Sequence, residues 1–146
     1  MKTALERLCT GLAGRAEITV EDRHSARSMG SGQMDVLATP SMIALMEAAA
    51  RNAVEHLLPP DHLTIGTHLD VQHFGATPVG SHVIATAELI GIDGRMLSFR
   101  VVAHDDKEII GEGTHERAIT GIAGFRRLMQ RKMKRTGPSA SDQDSS

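Results

Sequence analysis

The chain has 146 residues, a formal net charge of −2 and one cysteine. This length indicates a single domain. The small net charge gives no general attraction to nucleic acid or anionic membranes, and a single cysteine excludes an intrachain disulfide. No apolar stretch approaches the roughly 18 residues of a membrane-spanning helix, and the N-terminus lacks the apolar centre of a signal peptide, so a soluble cytoplasmic protein is expected.

The first thirty residues predict a short helix followed by strand structure. Leu5, Leu8 and Leu12 recur on one side of a helix over residues 1–14, and Gly14 is its expected stop. Residues 17–20 and 24–29 then predict a first strand or two short ones.

The clearest signals mark a helix that begins at Thr39. Thr39 suits the N-cap, Pro40 suits the first helical position, and apolar residues recur at helical spacing as far as Leu57. Pro59 and Pro60 end the helix because the residue before a proline is disfavoured in helical geometry.

From residue 63 the apolar period changes from 3.6 to 2, which indicates strands. Leu63, Ile65, Leu69 and Val71 share one parity and are expected on one core-facing side of a strand. Further strands over residues 83–92, 96–104 and 108–120 are joined by hairpins at residues 93–94 and 105–107. A basic helix over residues 121–135 and a disordered tail over residues 136–146 complete the prediction.

These elements predict an α+β hot-dog fold over residues 1–135: a curved antiparallel sheet, with four strands in a meander, wraps around a central helix and is followed by a C-terminal helix. One sheet with one helix leaves apolar surface and an unpaired edge strand. Pairing two copies edge to edge resolves both problems. A homodimer is therefore the minimum assembly expected, and pairing of dimers into tetramers stays open.

Three polar side chains are predicted at the seam between helix and sheet. Glu47 lies at the boundary of the apolar arc, either as an exposed ion-pair partner of Arg51 or as a half-buried carboxylate with raised proton affinity. Thr39 is explained by capping alone, although a helix N-terminus also stabilises a polarised carbonyl. His73 ends the odd-parity series and would face the helix, as a core histidine or as an acid–base group. Thr39 and Glu47 are about 12 Å apart along the helix, so they cannot meet directly.

Four segments resemble the fluoroacetyl-CoA thioesterase family: residues 38–47, 65–73, 76–80 and 113–118. The similarity covers about residues 15–135 and implies a hot-dog enzyme that releases coenzyme A from a small acyl group. It also implies a catalytic triad. Glu47 would attack the thioester carbonyl or activate water, His73 would act as acid–base group and position the substrate, and Thr39 would orient the carboxylate or the thioester oxygen.

The resemblance implies substrate contacts as well. Gly66 matches a small family position beside the acyl group, and Arg117 matches an arginine that is either a salt-bridge partner or a substrate contact. Val36 and Leu37, before the helix, are also expected to contact the substrate. Their segment lacks the aromatic residues of the family's fluoroacetyl-specific enzyme. The sequence therefore favours thioester chemistry without favouring fluoroacetyl-CoA as the specific substrate.

No metal is expected, and no cofactor apart from the coenzyme A of the substrate. Residues 104–106 are explained by a turn, and His115 and Glu116 alternate across a strand, so their side chains point to opposite faces. The basic last helix is a solvated face or contacts the phosphates of coenzyme A, and nucleic-acid binding is disfavoured because stacking aromatics are missing. Two further functions stay open: a non-catalytic acyl-CoA or small-ligand binding protein, and a hot-dog dehydratase of enoyl or hydroxyacyl thioesters.

Overall fold

The computed structural model describes residues 7–135 as one antiparallel sheet and three helices. The strands are β1 (Ala13–Thr19), β2 (His62–His73), β3 (His82–Asp93), β4 (Met96–His104) and β5 (Ile109–Gly121). The helices are α1 (Ala26–Met29), α2 (Thr39–Val54) and α3 (Ile122–Arg135), with 3-10 turns at Asp22–His24 and Glu55–Leu57. The strand order across the sheet is β1-β3-β4-β5-β2. None of the helices in this range is long and apolar enough to cross a membrane.

The sheet curls around α2, and this seam is the hydrophobic core. Met42, Met46 and Ala50 of α2 are fully buried, as are Leu89 and Phe99 of the sheet. The helix can lie close to the strands because its buried stripe is rich in alanine. The predicted hot-dog fold is confirmed.

The N-terminal segment differs from the prediction. Gly14 lies within β1 rather than at a helix end, and residues 24–29 contain a helical turn rather than a strand. The Ser25 side chain accepts a hydrogen bond from the Ser28 N–H, and Gly30 ends the turn in the left-handed region, so local capping determines this conformation. The predicted helix over residues 1–14 lies partly, and the predicted tail over residues 136–146 wholly, outside the described residues.

The prediction of a four-stranded meander is wrong for β2. β3, β4 and β5 are joined by hairpins, but β2 pairs with β5 rather than with β3, which follows it along the chain. Residues 74–81 carry the chain from one part of the sheet to another. Within residues 7–135, β2 consequently has one edge with no strand beside it.

A β-bulge at Thr67 interrupts the alternation of β2. Gly66 pairs with Arg117 and His68 pairs with Glu116, which are consecutive residues of β5. Thr67 is therefore an extra residue, and the side chains after it face the opposite way from those predicted by strict alternation.

The bulge changes which residues share a face. His73 still faces α2, as predicted, but so does Gly66, which lies seven positions before it. Leu63 and Ile65 instead turn to the outer face, where they line a groove against α3. The prediction that Leu63 and Ile65 share the core face with Leu69 is wrong.

At Gly14 the backbone of β1 lies close against α2. A Cβ at this position would overlap the backbone of Ala49 and Ala53. Backbone atoms cannot move aside as the end of a flexible side chain can, so the glycine is required by packing.

We predict that Gly14→Ala lowers the free energy of unfolding by about 1–3 kcal/mol, because strand and helix must separate. Urea denaturation measures the change. Gly91→Ala is the matched control, because its Cβ would meet only the Ser98 side chain at 3.5 Å, an ordinary contact. Equal stabilities for the two variants would show that the β1–α2 approach is not a packing constraint.

Candidate functional site

Thr39 and His73 meet at the N-terminal end of α2. Thr39 Oγ1 lies 2.7 Å from His73 Nδ1. Thr39 is the first residue of the helix, and the N-cap is Ala38, which makes no side-chain cap. The prediction that Thr39 caps the helix is therefore wrong, since its hydroxyl bonds the imidazole of β2 instead.

The other nitrogen of His73 has no partner among residues 7–135. Nε2 is buried and makes no hydrogen bond to any described residue. Burial lowers the pKa of His73, and the nearby Gly75 backbone offsets only part of this effect. Because a buried polar atom without a partner is costly, this nitrogen is suited to a group supplied from outside the chain.

Glu47 forms an ion pair with Arg117. Arg117 Nη1 donates to Glu47 Oε2 at 3.0 Å, and the exposed fractions of the two side chains are 5 % for Arg117 and 37 % for Glu47. Arg51, the alternative partner, bonds Glu55 at 2.9 Å. The Glu47–Arg51 interpretation is therefore wrong. Arg117 is a salt-bridge partner of Glu47, and its contact with substrate stays a prediction.

Arg117 is itself held by a buried polar network. Its Nε donates to Thr64 Oγ1 at 2.7 Å and its Nη2 to the Thr64 carbonyl at 3.0 Å. Its Nη1 also lies 3.1 Å from His115 Nε2, and His115 Nδ1 lies 2.8 Å from the His68 carbonyl. A buried guanidinium is tolerated when its donors are satisfied in this way.

Sequence reasoning missed Thr64 and His115. Alternation does place His115 and Glu116 on opposite faces, as predicted, but it also places His115 and Arg117 together on the buried face of β5. The signal available in the sequence was a pair of polar side chains, two positions apart, on the buried face of one strand. Burial lowers the pKa of His115, the Arg117 charge acts in the same direction, and the hydrogen bond to the His68 carbonyl partly opposes them.

Gly66 lies directly beneath the carboxylate. A Cβ at Gly66 would come 2.6 Å from Glu47 Oε2, so a side chain there would displace the carboxylate from Arg117. A cleft of about 460 Å³ opens beside these residues. Its lining is Ala44, Glu47, Ala48, Arg51, Glu55, Leu63, Thr64, Ile65, Gly66 and Arg117.

The structure brings the predicted residues together in two separate groups. Thr39 and His73 form one, and Glu47, Gly66 and Arg117 form the other. Neither Thr39 nor His73 lines the cleft beside Glu47. Two turns of α2, about 12 Å, separate the two groups.

The segment before α2 lies near the first group. Leu37 is 1 % exposed and belongs to the hydrophobic core. Val36 is half-buried and bridges Pro78. Their contact with substrate stays a prediction.

The other polar features need no ligand to explain them. Asp105 Oδ1 accepts hydrogen bonds from the N–H groups of Lys107 and Glu108, so the turn interpretation is confirmed. Over residues 7–135, no three His, Cys, Asp or Glu side chains are grouped so that they could hold a metal ion. The basic side chains of α3 are exposed as far as Lys134.

Comparisons with known proteins agree on one family. The family model described as fluoroacetyl-CoA-specific thioesterase matches residues 20–122. The fluoroacetyl-CoA thioesterase of Streptantibioticus cattleyicolor is 44 % identical over 98 residues, which are 67 % of this chain and 70 % of that protein.

Solved structures give the same result. A fluoroacetyl-CoA thioesterase structure has a TM-score of 0.80 and 35 % identity, covering 86 % of this chain and 97 % of that chain. A thioesterase superfamily member from Thermus thermophilus has a TM-score of 0.81 and 26 % identity, covering 87 % and 94 % of the two chains.

The lowered pKa values of His73 and His115 predict a pH-dependent stability. An unfolded histidine titrates near pH 6.5, so below that pH the unfolded chain binds protons that the folded chain does not. The free energy of unfolding is therefore greatest above about pH 6.5 and falls as the pH decreases from there. Urea titrations between pH 7.5 and 5.5 measure the slope.

His115→Gln should make that slope shallower because one of the two histidines is removed. His56→Gln, at an exposed position, is the control and should follow the wild type. A slope in His115→Gln as steep as that of the wild type would contradict the assignment.

Proposed function

The chain belongs to the fluoroacetyl-CoA-specific thioesterase family, and we propose that it hydrolyses small acyl-CoA thioesters at sites shared between two copies of the chain. Each site would take Glu47 from one copy and Thr39 with His73 from the other. The observation that carries this proposal is the division of the three residues into two groups along α2, with His73 Nε2 buried and without a partner among residues 7–135.

The unpaired edge of β2 supplies the route to such a site. Two copies of β2 related by a two-fold axis at Asp70 would pair antiparallel. Because Thr67 is bulged out, this register sets Gly66 opposite the partner's His73, with both on the face that packs on α2. Cross-strand neighbours lie about 5 Å apart, which brings the partner's imidazole beside Glu47. The two Asp70 carboxylates would face one another on the outer surface, where solvent screens them.

The residues then divide the chemistry between them. Arg117 holds Glu47 Oε2 and leaves Oε1 to act on the thioester carbonyl, directly or through a water molecule. As the C–S bond breaks, the acyl carbon gains an oxygen and the sulfur needs a proton. If the Thr39 hydroxyl donates to Nδ1, then Nε2–H of the partner's His73 donates a hydrogen bond to the sulfur as negative charge develops there. The proton that the sulfur takes is the one that water loses: Glu47 removes it from the attacking water or, on the direct route, from the water that then cleaves the Glu47 anhydride, so that carboxylate and imidazole return to their starting states.

The helix terminus and Gly66 account for the acyl end of the substrate. The first N–H groups of α2 in the partner carry a partial positive charge that stabilises a developing oxyanion. Gly66 leaves space beside Glu47 where any side chain would intrude. Both features fit a small acyl group.

The same register would also cover two apolar features of the outer face. It sets Ile65 opposite the partner's Phe74. In the single chain, Phe74 is 58 % exposed. Ile65 lines a groove of about 690 Å³ between β2 and α3, together with Leu63, Ile122, Phe125, Arg126, Met129, Gln130 and Met133. Burying a phenylalanine there contributes about 1.5–3 kcal/mol to association. A homodimer thus explains the free edge, the exposed Phe74 and the groove together.

We predict that Glu47→Gln and His73→Gln each lower kcat for acyl-CoA hydrolysis by at least ~100-fold, since each removes a reacting group. An equal mixture of the two variants should recover roughly a quarter of wild-type activity, because half of the dimers are mixed and each mixed dimer has one intact site. Free thiol release from a panel of short acyl-CoA substrates measures both effects.

A mixture of Thr39→Val with His73→Gln is the control for complementation. Both changes lie in the same half-site, so every site in a mixed dimer keeps one lesion and no activity returns. Recovery in the control, or none in the test mixture after subunit exchange is verified, would contradict a shared site. Saturable acyl-CoA binding without thiol release would instead favour a non-catalytic binding protein. Hydration of crotonyl-CoA would favour a dehydratase.

We further predict that Phe74→Ser raises the dimer dissociation constant by at least ~100-fold, because the two-fold axis creates two such contacts and both grooves lose an apolar occupant worth about 1.5–3 kcal/mol each. Sedimentation equilibrium measures the constant. Ile90→Ser is the matched control, because Ile90 is 49 % exposed on β3, away from the β2 edge. Equal dissociation constants for the two variants would rule out the Phe74 contact.

A further inference from the structure

We propose that neutral His115 is a positioning residue of the proposed thioesterase: it orients Arg117, and through Arg117 it fixes the carboxylate of Glu47. This inference rests on the proposed function and concerns a residue that does not contact the substrate. The evidence is the direction of each hydrogen bond in the buried chain from His68 to Glu47.

The bonding pattern determines the protonation state of His115. The His68 carbonyl only accepts, so His115 Nδ1, at 2.8 Å, must carry the hydrogen. Arg117 Nη1 only donates, so His115 Nε2, at 3.1 Å, must offer a lone pair. Both contacts are satisfied by a single form of the ring, the neutral tautomer with its proton on Nδ1.

His115 also accounts for the second proton of Arg117 Nη1. One Nη1 proton points to Glu47 Oε2 at 3.0 Å, and the other points to His115 Nε2. With Thr64 accepting from Nε and Nη2, the guanidinium is fixed in its plane and about its last bond. His115 is itself immobilised, since it is fully buried and its ring lies 6.3 Å from that of Phe99.

Protonation of His115 would break this arrangement. A proton on Nε2 would point at Arg117 Nη1 and place two positive charges in contact, so the guanidinium would have to turn away and release Glu47. The charged groups that act on the ring are Arg117, which opposes protonation, and Glu47 and Glu116, which favour it. Burial is the larger effect and keeps the ring neutral at neutral pH.

Two substitutions separate the two hydrogen bonds of the ring. His115→Gln places an amide oxygen near the position of Nε2 and keeps an acceptor for Arg117. His115→Asn places its amide near Nδ1, so it keeps a donor for the His68 carbonyl but leaves Arg117 without the acceptor. We expect kcat to fall roughly 10- to 100-fold in His115→Asn and no more than about threefold in His115→Gln, with KM little changed in both.

The pH profile and NMR supply readouts that a merely structural role would not move. The acid limb of kcat should be less steep in His115→Gln than in the wild type, because glutamine does not titrate and one group whose protonation lowers kcat is removed. Nitrogen-15 spectra should show the Nδ1–H tautomer of His115, with the Arg117 Nη1–H signals protected from exchange in the wild type and in His115→Gln but not in His115→Asn. His56→Gln controls for assignment and for general effects of replacing a histidine.

Outcomes of this experiment are distinguishable from failure of the proposed function. Equal losses of kcat in the Asn and Gln variants, parallel to their losses in melting temperature, would overturn the positioning role. An Nε2–H tautomer in the spectra would overturn it whether or not the protein hydrolyses thioesters. The expected tautomer and Arg117 protection, found without thiol release, would support the His115–Arg117 arrangement and reject the enzymatic function.

Discussion

The single extra residue at Thr67 determines which side chains of β2 face the central helix. Gly66 and His73 are seven positions apart, so strict alternation would send them to opposite faces of the sheet. The register shift at Thr67 returns both to the α2 side, where Gly66 lies beneath Glu47 and His73 bonds Thr39. A local irregularity of the backbone thus makes one strand contribute to both groups of candidate site residues.

Much of the fold was predictable because α2 and long stretches of the strands each follow a single period. The central helix and the β3–β4–β5 hairpins follow from apolar spacing and turn residues, which are local properties. The bulge at Thr67 and the pairing of β2 with β5 depend instead on tertiary pairing. Residues 24–29 were misjudged because the Ser25 cap and Gly30 outweigh the strand character of the segment. Local signals therefore predicted the elements but not the edge at which β2 lies.

The site was predictable only where a residue type was conspicuous in its position. Glu47 at the boundary of an apolar helix and His73 at the end of a strand are both unusual, and the family resemblance adds Arg117. The partners of Arg117 follow from no local rule, because Thr64 and His115 come from different strands and meet only in the folded sheet. Their contribution is electrostatic: they satisfy a guanidinium inside an aliphatic core, so that its charge is directed at one carboxylate oxygen. Since the residues that hold the carboxylate lie on α2, β2 and β5, it is positioned by a helix and two strands rather than by a loop.

The free edge of β2 and the divided site are two consequences of the same geometry. A folded single chain leaves a 12-residue strand unpaired along one side, Phe74 exposed at its end, and His73 Nε2 buried without a partner among residues 7–135. Each of these is unfavourable for an isolated chain, and all lie along the same strand. In the proposed pairing, the contacts that remove the unfavourable edge also carry the imidazole of one copy to the carboxylate of the other. Association and catalysis would then depend on the same backbone register, so a shift of one residue along β2 would turn the partner's imidazole to the wrong face while leaving two folded chains in contact.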